Sequence, residues 1–89
     1  MNEESGTSTL KLVNCAEMVN CEATLLREIA DGGMKQKDVA STYGLALLSS
    51  ERDQIDWTKV NQAIIARWGH SGLVRIKTEA WRLARSRAR

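Results

Sequence analysis

Apolar side chains recur at helical intervals along most of the chain. Leu12, Ala16, Val19, Ala23, Leu26 and Ala30 alternate gaps of four and three, and Cys15, Met18, Leu25 and Ile29 widen that stripe on one side. The pattern predicts a helix running up to Asp31. Asn14 followed by Glu17 as a capping box, or Asn20 as a cap, offers alternative starts. Gly32-Gly33 stops it, the first glycine being suited to a left-handed C-terminal residue. A second helix is expected from about Lys35 to Leu48, carrying Val39, Tyr43, Ala46 and Leu47. Ser49 to Ile55 reads as a polar connection, after which Asp56 is a good N-cap for a third helix from Trp57 to Trp68. Trp57, Val60, Ile64 and Trp68 share one stripe of that helix, flanked by Asn61 and Ile65. Gly69-His70 breaks it, and Ser71 caps a fourth helix from Gly72 to about Arg85, with Leu73, Ile76, Ala80, Leu83 and Ala84 on its apolar side. Val74 and Trp81 lie at the margin of that stripe.

The expected fold is therefore all-α: a compact bundle of about four short helices joined by short connections. Residues 1–8 are small and polar and are expected to be frayed. Residues 9–86 make a single helical domain, and 87–89 form a basic end. Composition agrees with this class. The 89 residues are 43% apolar and 27% charged, with no Pro and no Phe, which fits one soluble helical domain rather than a disordered or β-rich chain. No apolar run is long enough to span a bilayer, and the acidic start Met1-Asn2-Glu3-Glu4 does not read as a secretory signal. Cys15 and Cys21 are expected to be reduced thiols serving as small apolar side chains, which suits a reducing cytoplasm. A chain this short buries a modest core, so a homodimer would add useful buried surface.

Charge changes the picture more than composition does. Residues 1–56 hold five basic and ten acidic side chains, whereas residues 57–89 hold eight basic ones against Glu79 alone. The net charge of +2 thus hides a −5 first part and a +7 last part. Such asymmetry points to nucleic acid or to an acidic partner. At roughly 100° per residue, Arg75 and Arg82 face away from the apolar stripe, with Thr78 and Arg85 beside them. Arg87 and Arg89 continue the series, and Glu79 can pair with Arg75 or with Arg82. A helix docked by one side and bearing guanidiniums on the other can track phosphates or reach base edges. A solvated face, or cations placed to suit the helix dipole, is the simpler alternative.

The segment Gln36-Lys37-Asp38-Val39-Ala40-Ser41-Thr42-Tyr43-Gly44-Leu45 resembles the first helix and turn of helix-turn-helix DNA-binding proteins. Ala40 takes the place of the family's small residue, Gly44 that of its turn glycine, and Leu45 that of the apolar residue after it. Val39 and Tyr43 match its buried positions. Ser50 and Asp53 stand where the family has apolar residues on its second helix. The resemblance implies a turn at Gly44 and places Gln36, Lys37 and Ser49 near DNA. The alternative is that Gly44 lies inside a continuous helix, at a cost of about 1 kcal/mol relative to Ala. A second pairing, of the helix 57–68 with the basic helix from Gly72, would give a helix–turn–helix unit without the family's spacing.

The remaining chemistry is sparse. Trp57 and Trp68 share their stripe with aliphatic residues and are expected in the core, whereas Trp81, close to Arg85, is placed to stack on a base. His70 has no nucleophile or carboxylate beside it, and Lys77 lies inside an apolar arc from which its ammonium reaches out. No carboxylate pair, activated nucleophile, metal-ligand cluster or glycine-rich phosphate loop is legible. The chain is expected to be a binding protein rather than an enzyme, with no cofactor and no metal. The leading expectation is a small regulatory protein that binds nucleic acid, DNA foremost, of a size suited to a bacterium or a phage. Arg75, Arg82, Arg85, Arg87, Arg89, Lys37 and Gln36 are its candidate contacts. The alternative is a helical interaction module that dimerises or docks on an acidic protein.

Overall fold

A computed structural model of the chain describes residues 20–87. The segment 1–8 expected to be frayed, the first-helix positions up to Val19, Cys15 and Arg89 lie outside them. Three α-helices are present among the described residues: α1 (Cys21–Ala30), α2 (Gln36–Leu48) and α3 (Trp57–Arg87), with a 3-10 turn at Arg52–Gln54 between the last two. The all-α expectation holds. The count of about four helices does not, because the third and fourth run together as α3. A single residue, Gly69, interrupts them, with non-helical φ 79° and ψ 176°. That backbone geometry belongs to glycine, so one residue makes a bend where a loop was expected. Ser71 consequently lies within the helix and caps nothing.

The two arms of α3, 57–68 and 70–87, fold back toward each other, since Trp57 and Asn61 line the same cavity as Lys77 and Trp81. Helix α2 packs against both arms. The Tyr43 and Trp57 rings meet with centroids 4.8 Å apart, and Gly44 lies against Ala80 and Leu83. Helix α2 runs straight through Gly44, so the chain takes the continuous-helix alternative there and no turn forms. The physical reason is packing. A Cβ on residue 44 would stand 3.0 Å from the Ala80 carbonyl oxygen, so the missing side chain serves a close helix crossing rather than a change of direction.

The core consists of Cys21, Leu25 and Ile29 from α1, Val39, Ala40, Tyr43, Ala46 and Leu47 from α2, and Val60, Ile64, Ile76, Ala80 and Ala84 from α3, closed by Ile55. On α1 the buried line is Cys21-Leu25-Ile29. Ala23 and Ala30, expected at the centre of the stripe, are exposed. The larger side chains at spacing four win the inward position because they remove more apolar area from water. The connection 49–55 is less polar in fact than in appearance: Ser49 and Ile55 are both buried.

Local hydrogen bonds explain the boundaries. Asp56 caps α3, its Oδ1 accepting from the Lys59 N–H at 3.1 Å, an arrangement worth about 1 kcal/mol. The Asp38 carboxylate accepts from the Lys35 N–H at the start of α2. The start of α1 is capped from a distance, Glu51 accepting from the Asn20 and Cys21 N–H groups. At the other end of α1, the Arg67 guanidinium donates to the carbonyl oxygens of Ile29, Asp31, Gly32 and Met34 at 2.7, 2.7, 3.3 and 2.9 Å.

Candidate nucleic-acid interface

Two elements build this face: the first turn of α2 and the second arm of α3. They run side by side in the same direction, Gln36 near Gly72 and Arg75, Gly44 near Ala80 and Leu83. Gln36 and Lys37 are thereby carried to Arg75, although 39 residues separate Gln36 from it in the chain. The Arg75 Nε–H donates to Gln36 Oε1 at 3.1 Å. A shallow cleft of about 260 Å³ lies between the two elements, lined by Gln36, Lys37, Ala40, Arg75, Ile76 and Glu79.

Arg82 stands seven residues beyond Arg75, so it extends the same line along α3 to within about 20°. Its guanidinium is engaged by Glu79: Nε donates to Oε1 at 2.9 Å and a terminal N–H donates to Oε2. Of the two pairings expected for Glu79, the one with Arg82 forms and the one with Arg75 does not. That hydrogen bond holds the Glu79 carboxyl below the usual carboxylate range and raises Arg82 above its own. Both side chains stay in water, so the pair adds little to stability. Its consequence is electrostatic, since one carboxylate sits among three cations: Lys37, Arg75 and Arg82.

Arg85 and Arg87 are exposed, and no carboxylate pairs with either among the described residues. They do not share one direction. Arg85 lies one turn beyond Trp81, beside the Arg75–Arg82 line. Arg87 follows buried Ala80 by seven residues, so it projects on the docked side of the helix, past the last core residue Ala84. The expected single row of guanidiniums is thus a patch of Gln36, Lys37, Arg75, Arg82 and Arg85, with Arg87 set apart at the end. Ser49, placed near DNA by the resemblance, is buried. Its hydroxyl donates to the Ala46 carbonyl and accepts from the Glu51 N–H and the Cys21 thiol.

The +7 tally of the last third also overstates the free charge. Arg67 is spent on the carbonyl end of α1, and Lys59 lies 3.9 Å from Glu22. Nothing in residue type or spacing distinguishes Arg67 from the arginines that remain exposed. Its role depends on α1 ending beside it, which only the tertiary arrangement decides.

Searches against protein-family models, curated proteins and solved structures find no match to this chain.

Proposed function

We propose that this chain binds nucleic acid, DNA foremost, through the face where the start of α2 meets the second arm of α3. Lys37, Arg75 and Arg85 take phosphates, and Arg82 joins them when it leaves Glu79. Gln36 orients the Arg75 guanidinium, and the groups at the chain end, Arg87 and Arg89, reach the flanking backbone. The observation that carries the reading is the joining of Gln36 and Lys37 to Arg75 across 39 residues of sequence, on the face that also bears Arg82 and Arg85. Guanidiniums suit this role because their planar fork makes two hydrogen bonds to a phosphate. The role is that of a small regulatory binding protein, and it calls for neither cofactor nor catalysis.

Fluorescence anisotropy on labelled duplex DNA, single strands and RNA at several salt concentrations tests it. With about five phosphates neutralised, by Lys37, Arg75, Arg85, Arg87 and Arg89, log K falls against log salt with a slope of about −4 to −5. The pair Lys37→Gln and Arg75→Gln, made together, flattens that slope by about two, whereas Lys59→Gln leaves it unchanged. Absence of salt-dependent binding to all three probes overturns the reading, as does a slope that ignores the double substitution. A complex with an acidic protein that nucleic acid does not compete away would assign the same cations to the other class of partner and overturn it too.

A further inference from the structure

On the opposite flank of the second arm of α3, the fold forms a shallow, open cavity of about 420 Å³ that the phosphate-contacting face does not use. Three of its walls are aromatic: Tyr43 from α2, Trp57 from the first arm of α3 and Trp81 from the second. Tyr43 and Trp57 are held in place. Their rings are tilted by 39° against each other, the Trp57 Nε1–H donates to the Arg52 carbonyl at 2.9 Å, and the Tyr43 hydroxyl donates to Asn61 Oδ1 at 2.8 Å. Trp81 is the contrast. It is 43% exposed, an indole left at the rim of a cavity that already has two rings within it.

The polar lining is equally specific. With its oxygen accepting from Tyr43, Asn61 keeps its amide nitrogen as the donor for an incoming group. Burial pushes the Tyr43 hydroxyl up to about 12, so it remains a donor and fixes Asn61 in that orientation throughout the neutral range. Asp53, 3.8 Å from the Arg52 guanidinium that also lines the cavity, supplies an acceptor at the rim, and Lys77 supplies an ammonium. Arg85, one turn after Trp81, lies just outside on the same side of the helix. A flat heterocycle with donors and acceptors on its edge and a negative charge attached satisfies all of these groups at once. Rings stack on it, Asn61 and Asp53 meet its edge, and Arg52, Lys77 or the neighbouring Arg85 takes the charge.

We infer that this cavity, bounded by Tyr43, Trp57, Trp81, Asn61 and Lys77, binds a nucleobase carrying a phosphate. Arg85 lies between the cavity and the Arg75–Arg82 line, so an unpaired base of a bound strand enters the cavity while its backbone crosses Arg85. This deepens the nucleic-acid reading by naming unpaired nucleotides as the target. A free nucleotide has the same chemistry and is separated by experiment.

The test titrates the full chain with a short single-stranded oligonucleotide and, separately, with a mononucleotide, following tryptophan fluorescence. Stacking on Trp81 quenches its emission saturably, and Trp81→Ala weakens oligonucleotide binding by about ten- to a hundredfold while Trp81→Phe retains most of it. Trp81 is exposed, so these variants fold, and circular dichroism verifies that. Preference for the oligonucleotide, lost in Arg85→Gln, supports the strand-borne base. Equal binding of the mononucleotide supports the same cavity with a free nucleotide as its occupant. Quenching by the mononucleotide without binding to any nucleic acid supports the cavity and removes the phosphate-contacting face. Duplex binding that Trp81→Ala leaves unchanged, with no quenching by either probe, overturns the inference and leaves that face standing.

Discussion

Gly44 of α2 rests on Ala80 of α3 so closely that a Cβ at residue 44 would lie 3.0 Å from the Ala80 carbonyl oxygen and 3.5 Å from Leu83 Cβ. This contact sets the distance between the helix that carries Gln36 and Lys37 and the arm that carries Arg75. Enlarging residue 44 drives the two apart. Gly44→Val is expected to lower unfolding free energy by about 1–3 kcal/mol in urea titrations, the range for overpacking a close contact. Gly44→Ala is expected to cost less, because a better helix former returns about 1 kcal/mol. A neutral Gly44→Val would show that the crossing is looser than this geometry requires.

Gly69 holds the bend of α3 at φ 79°, with open space where a Cβ would go. The obstacle to a side chain is therefore backbone strain and not a clash. Gly69→Ala is expected to lower stability by about 1–3 kcal/mol, measured by chemical denaturation. It should also weaken nucleotide quenching, since the bend brings Trp57 and Trp81 to one cavity.

Arg67 ties the end of α1 to the first arm of α3 through four carbonyl oxygens. Arg67→Ala is expected to cost about 2 kcal/mol, as charged donors leave partly buried acceptors unsatisfied. Arg67→Lys recovers little of it, because a compact ammonium cannot span acceptors that a planar fork reaches together. Hydrogen exchange at α1 amides should rise first in both variants, and unchanged exchange there would count against the clamp.

Glu79 restrains Arg82. Its carboxyl titrates below the ordinary carboxylate range, so the pair is intact above that range and is lost as pH falls through the depressed value. Releasing Arg82 frees one cation on the face proposed to contact phosphates. Glu79→Gln at neutral pH is therefore expected to tighten nucleic-acid binding and to steepen the salt slope by about one phosphate contact. Both side chains are in solvent, so the melting temperature should hardly move. Anisotropy titrations of the wild type and Glu79→Gln across salt concentrations decide this, and an unchanged slope would contradict it.

Much of the architecture was legible in the chain itself. The spacing of Val60, Ile64, Ile76, Ala80 and Ala84 fixed which sides of α3 face inward, Asp56 marked its start, and glycine at 69 marked its interruption, because helical period, cap chemistry and glycine's conformational range are local properties. The gathering of arginines after Trp57 was equally plain. What required the folded molecule was every relation between distant segments. Gly44 could signal a turn or a close crossing, and only the presence of Ala80 beside it chose the crossing. Arg67, Arg75, Arg82 and Arg85 are one residue type to a reader of sequence. They divide into a structural clamp, a partner of Gln36, a partner of Glu79 and a cation with no carboxylate partner among the described residues, because of which neighbours the bend at Gly69 and the packing of α2 deliver to each. Long-range contacts select among side chains whose local chemistry is identical, and in this protein that selection determines which charges are tied down and which stay exposed.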